Sequence, residues 1–177
     1  TLPWHRRRTT RAERLDYKFV HDLLQLNLGK GYYSYAGFPV GPEYRSDASK
    51  SKGYTGGGWV GSDGFYDFFC YGTSAARKPI DYLEGDAVVR ACRSRGAAWR
   101  GLQIPFGIDN SAFQQSSAKG RSKALRLNAL LRELFVLQVQ HNFILCPLWL
   151  SMHENTLADD RARKRAGKCL REGRGSG

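Results

Sequence analysis

The chain has 177 residues, 41% of them hydrophobic and 12% aromatic; that is enough for one domain with a real core, and it excludes a collagen-like or wholly disordered chain. Its 28 Arg and Lys against 16 Asp and Glu give a net charge of +12, and the excess sits at the ends: residues 1–18 carry +4 and residues 161–177 carry +6, leaving +2 for residues 19–160. Basic ends suit a polyanionic partner, nucleic acid before membrane. There is no run of the roughly 18 apolar residues a membrane span needs, so no transmembrane helix is expected.

Residues 1–10 read as a basic tail. In residues 11–28, Leu15, Phe19, Leu23 and Leu26 make one helical stripe, and Gly29 and Gly31 stop it. A Tyr-rich turn segment follows, from Tyr32 to Pro42. The pattern then changes to strands: EYRSDAS, GGWVGS and YDFFCYG are three short extended runs joined by turn signals, an antiparallel meander. Residues 80–98 switch to helical spacing, with Ile80, Leu83, Ala87, Val88 and Ala91 on one face and Gly96 at the end. Gln103 to Ile108 is a fourth strand. A helix from Ser111 to Ala118 breaks at Lys119-Gly120. Residues 122–140 form the strongest helix, with Leu127, Leu130, Leu131, Leu134, Val136 and Leu137 at three-and-four spacing. NFILCPLWL is the fifth strand, and its run from Phe143 to Leu150 reads as buried. ENTLADDRARKRAGKCL closes the chain as a helix with an acidic start and a basic end, the arrangement the helix dipole favours.

The cysteines, Cys70, Cys92, Cys146 and Cys169, lie far apart, and the four histidines are scattered, which excludes a zinc finger. Cys70, Cys92 and Cys146 lie in apolar segments and read as small buried hydrophobes in a reducing, intracellular compartment. Four acids remain at element ends: Asp47 in the first strand, Glu84 on the sheet-facing side of its helix, Asp109 closing the fourth strand, and Asp159 one turn into the last helix. Carboxylates from two strands and two helices can converge at one sheet edge. Such a group repels itself unless cations occupy it. Hard oxygen donors point to Mg²⁺ or Mn²⁺, and two ions about 3.5–4 Å apart would activate water and steady the leaving oxygen of a phosphodiester. Each acid also has a purely structural reading. Asp47 fits a turn, Glu84 a solvated helix position beside Asp86, Asp109-Asn110 a helix cap, and Asp159 with Asp160 a complement to the dipole.

The order of these features resembles the ribonuclease H domain of reverse-transcribing elements, of the tyrosine-recombinase (DIRS-like) and gypsy-like retrotransposon kinds. RSDASKSKGYTGGGWVG resembles the family's first hairpin, and IDYLEGDAVVRACRSRGAAWRG its Glu-bearing helix. IPFGIDNSAFQQSSAKGRSKALRLNALLREL resembles its Asp-Asn strand end, Gly-Arg-Ser turn and Leu-rich helix, and WLSMHENTLADDRAR its closing box. The match spans about residues 43–165. It implies an α/β, ribonuclease H-like fold with a five-stranded mixed sheet, three antiparallel strands and then two further ones, flanked by helices. It also implies a two-metal endonuclease cutting the RNA strand of RNA–DNA hybrids, the RNA told apart by its 2′-hydroxyls. Asp47, Glu84, Asp109 and Asp159 would hold two Mg²⁺ or Mn²⁺ ions; of Asp159 and Asp160 the motif favours the first. Asn110 and Ser111 would touch the substrate backbone. Lys119, Arg121, Lys123 and Arg126 would grip the duplex. Trp59 and Trp149 read as core.

The resemblance divides the chain into a basic tail with a connecting, polymerase-linker-like helix (1–42), the ribonuclease H-like domain (43–165) and a basic disordered tail (166–177). An adjoining reverse transcriptase domain in a parent protein, an RNA–DNA hybrid as partner, no membrane, and a nuclear or cytoplasmic location are expected. The closing box departs from the family, with Ala158-Asp159-Asp160-Arg161-Ala162-Arg163 lacking its Leu and Ser. That leaves two other readings open: a catalytically silent nucleic-acid-binding or assembly module of the same fold, and a transposase-like DNA nuclease.

Overall fold

The computed structural model of the chain describes residues 9–25, 37–51 and 54–150. The chain divides into two units, Thr1–Tyr32 and Tyr33–Gly177. In the first, helix α1 (Arg11–Gln25) starts at a capping box: the Glu13 backbone N–H donates to Thr10 Oγ1 at 3.2 Å, and the Thr10 N–H donates to Glu13 Oε2 at 2.6 Å. None of its residues is buried; Leu26, the last of the expected stripe, lies outside the described residues, as do Cys169 and the closing helix.

The second unit is a five-stranded sheet with helices. Strands β1 (Tyr44–Ser51), β2 (Tyr54–Gly61) and β3 (Tyr66–Cys70) are the antiparallel meander. Helix α2 (Thr73–Ala76), which the sequence did not announce, leads into α3 (Ile80–Arg95) and a single 3₁₀ turn, Gly96–Trp99. Then come β4 (Gln103–Ile108), α4 (Ser111–Lys119), α5 (Leu125–His141) and β5 (Ile144–Trp149). The sheet order is β3-β2-β1-β4-β5, with β4 parallel to both β1 and β5. This is the mixed sheet expected from the sequence. Among the described residues no helix is long and apolar enough to cross a membrane.

Period-two patterning puts Tyr44, Ser46 and Ala48 on the sheet face that packs on α3 and α5. Tyr44 is fully buried, its ring 4.7 Å from Trp99 and 5.9 Å from Trp59 between centroids. Leu83, Ala87, Val88 and Ala91 of α3 and Leu127, Leu130, Leu131 and Leu134 of α5 are buried as their spacing predicts. Two helices end where the backbone turns left-handed, α4 at Gly120 (φ 65°) and α5 at Asn142 (φ 56°).

The edges of the sheet correct three expectations. Cys70 is exposed, because β3 is an edge strand, and Cys146 is only half-buried; Cys92 alone of the described cysteines is buried. In β5, the other edge, Leu145 is buried but Leu148 and Trp149 are 45% and 59% exposed, so Trp149 is not core. Trp59, on the inner strand β2, is core as expected.

Candidate active site

Strands β1 and β4 pair for only two residues, Tyr44↔Phe106 and Arg45↔Gly107. Beyond that point β1 stays with β2 as far as Ser51↔Tyr54, while β4 stays with β5 as far as Ile108↔Trp149. The sheet therefore opens between its antiparallel and parallel halves, at the carboxyl ends of the strands, where α/β sheets receive ligands. Asp47 and Asp109 each stand two residues past the last pair. Glu84 comes from the second turn of α3. Its neighbour Leu83 is fully buried against Ala48 and Tyr71. The Tyr71 hydroxyl donates to the Leu83 carbonyl at 2.8 Å, which ties this turn of the helix to the chain after β3. Burial and the nearby Asp86 push the Tyr71 phenol up, so it remains a donor at any ordinary pH.

One carboxylate oxygen from each of Asp47, Glu84 and Asp109 lies within 4.8 Å of the others. All three residues are half-buried. Burial first, then the charge of Asp109, raise the Glu84 carboxyl to about pKa 8; Asp47 and Asp81 push the same way, and a hydrogen bond from the Asn110 side chain pulls it down. Glu84 Oε2 is shielded from water and has no hydrogen-bond partner. A buried carboxylate oxygen without a donor is costly and rare. Three converging oxygens fit a hard divalent cation, which would relieve the repulsion and satisfy that bare oxygen.

No family model and no curated protein matches this sequence. Solved structures do match the fold. One is RNase H1 from the halophilic archaeon Halobacterium salinarum NRC-1, 17% identical with a TM-score of 0.56, over 71% of this chain and 98% of that one. Another is LC11-RNase H1, isolated from compost by a metagenomic approach, 15% identical with a TM-score of 0.59, over 73% and 97%. A third is LC11-RNase H1 in complex with RNA/DNA hybrid, 14% identical with a TM-score of 0.58, over 73% and 99%. The chain has the ribonuclease H-like fold.

On this ribonuclease H-like fold the structure brings together three of the four acids read from the sequence. The fourth, Asp159, lies outside the described residues, as does Asp160. Asn110 caps α4, its Oδ1 accepting from the Phe113 N–H at 2.9 Å, and Ser111 is exposed on the first turn. The structural reading of Asn110 as a cap thus holds. Lys119, Arg121 and Lys123 are exposed and line a cleft of about 610 Å³ with Gln115, Ser116 and Ser122. Arg126 does not line it: its Nη2 lies 2.6 Å from Asp81 Oδ2, joining α5 to the first turn of α3. Asp81, whose charge acts on Glu84, and Tyr71, which holds the carbonyl of the adjacent Leu83, are the residues that sequence reading missed. The three-residue spacing of Asp81 from Glu84 puts both on one helical face and could have revealed the first. Nothing in the local pattern marks Tyr71.

Proposed function

We propose that this chain is a metal-dependent endonuclease that hydrolyses the RNA strand of RNA–DNA hybrids. The observation that carries the reading is the convergence of Asp47, Glu84 and Asp109 where β1 and β4 part, with Glu84 Oε2 bare among them. In this reading the three carboxylates hold two Mg²⁺ or Mn²⁺ ions, and Asp159 completes the second site. When bound, such ions supply an activated water and charge stabilisation for the leaving oxygen. Asn110 and Ser111, at the mouth of α4, face the substrate backbone. The cations of the α4–α5 cleft attract the phosphates of the duplex without reading sequence. The sharing of a fold with an RNase H1 solved on RNA/DNA hybrid supports the substrate. The motif resemblance in residues 43–165 supports an origin in a retroelement, an adjoining reverse transcriptase domain and an intracellular site of action.

The test is cleavage of matched hybrid, RNA duplex and DNA duplex by the purified chain with Mg²⁺ or Mn²⁺, beside Asp109→Asn. Cutting confined to the RNA of the hybrid and abolished in the variant supports the reading. Cutting of DNA duplex turns it to a transposase-like nuclease. Salt-sensitive binding with no cutting under either metal makes it a binding module.

A further inference from the structure

Both chain neighbours of Glu84 are packed against elements that carry the other acids. On one side is Leu83, fully buried in a cluster with Ala48 and Tyr71. Ala48 is the residue after Asp47 in β1. Tyr71 joins the sheet to the helix: its N–H donates to the Thr55 carbonyl of β2 at 2.8 Å, and its hydroxyl donates to the Leu83 carbonyl at 2.8 Å. The turn that carries Glu84 is thereby fixed against the strand that carries Asp47.

On the other side is Gly85, buried in the interior of α3. Glycine is unfavourable there against alanine, because it has more backbone freedom to lose on folding. Close approach accounts for it. A methyl group on Gly85 would fall 2.5 Å from the Phe113 ring and 2.9 Å from Leu130. The ring is fully buried, and it would have to retreat by about 0.9 Å to reach ordinary contact at 3.4 Å. Phe113 lies in the first turn of α4, which begins two residues after Asp109. This contact therefore sets how near Asp109 comes to Glu84.

We propose that Tyr71 and Gly85 are positioning residues: they hold Glu84 at the spacing from Asp47 and Asp109 at which the three carboxylates share a divalent cation. This rests on the metal reading above. The far end of the same helix supplies a control. Gly96 is buried and helical (φ −50°, ψ −41°), and a methyl group on it would fall 2.8 Å from the His141 ring. It is crowded as Gly85 is, but lies roughly 18 Å along the helix axis from Glu84.

The experiment titrates the metal-free parent, Gly85→Ala, Gly96→Ala and Tyr71→Phe with Mn²⁺ by calorimetry and records the electron paramagnetic resonance spectrum of the bound ion. Affinity should fall by about 10–100-fold in Gly85→Ala, and by about the low end of that range in Tyr71→Phe, as when a group that orients a metal ligand is lost. The spectrum should change in both, and Gly96→Ala should keep the parental affinity and spectrum. Parental binding by a folded Gly85→Ala or Tyr71→Phe, or an equal loss in Gly96→Ala, overturns the proposal while leaving the metal reading intact. Where an alanine variant does not fold, Tyr71→Phe, which loses only a hydroxyl, decides. A parent that binds no Mn²⁺ overturns the metal reading instead, and metal-free crystal structures then decide the spacing. The Glu84–Asp109 separation should widen in Gly85→Ala and the Glu84–Asp47 separation in Tyr71→Phe; unchanged separations overturn the proposal.

Discussion

Two acids stand two residues apart on α3 and meet opposite surroundings. Asp86 is 8% exposed, yet Arg90 Nε lies 2.7 Å from its Oδ2, and that guanidinium in turn covers the rings of Phe69 and Tyr71, 4.3 and 5.3 Å from their centroids. Glu84 has no basic partner among the described ion pairs and two like charges close by. One charge is neutralised by the protein and joins the helix to the sheet. The other is left for something from outside. A folded chain that keeps a buried carboxylate oxygen without a donor forgoes stability there, and that is the mark of a site rather than of a core.

The sharpest way to break the contrast is to neutralise each acid in turn. Glu84→Gln is expected to reduce hybrid cleavage to background. It should also keep or raise the melting temperature of the metal-free protein, because it removes repulsion against Asp47 and Asp109. A cleavage assay and a thermal melt on the same preparation check both halves. Asp86→Ala should do the reverse. It strands the Arg90 charge and costs about 2 kcal/mol, less than the loss of a fully buried pair because the Arg90 side chain is 39% exposed. Urea unfolding measures that loss, and Mn²⁺ titration of the folded fraction should find parental affinity.

Acidity sharpens the comparison further. Glu84 titrates near the ordinary value of 4.5 when unfolded and at about 8 when folded. Between those values the folded state binds the extra proton. The metal-free protein should therefore lose stability as pH rises from about 5 to 8, and Glu84→Gln should flatten that slope. Mn²⁺ competes with the same proton, so its affinity should rise over the same window. Melting curves and Mn²⁺ titrations at pH 5, 6, 7 and 8 test the sign. The smallest effect is expected from Tyr71→Phe, which removes the donor to the Leu83 carbonyl and should cost about 1 kcal/mol of stability in denaturant unfolding.

Much of the fold is legible in the residues. The Leu127, Leu130, Leu131 and Leu134 stripe, the Gln103–Ile108 strand and the glycine after Lys119 each act through local spacing or local backbone preference, and the structure holds them as read. Asp109 is legible as well, because it follows the last residue of β4, whereas Asp47 lies inside β1 and Glu84 in the second turn of α3, not at element ends as read. The exposure of Cys70 and Trp149 is not, since an edge strand and an inner strand have the same composition until their neighbours are known. Nor is the pairing of Arg126 with Asp81, two residues 45 positions apart in sequence.

Periodicity, punctuation and charge placement acted within a few residues of one another, so the chain alone settled which of the longer segments are helices and strands and that Asp109 follows a strand end. The parting of β1 from β4 and the meeting of three carboxylates there join residues from separate elements. Those distances are set when Phe113 seats on Gly85 and the sheet takes its order, and only tertiary packing decides them.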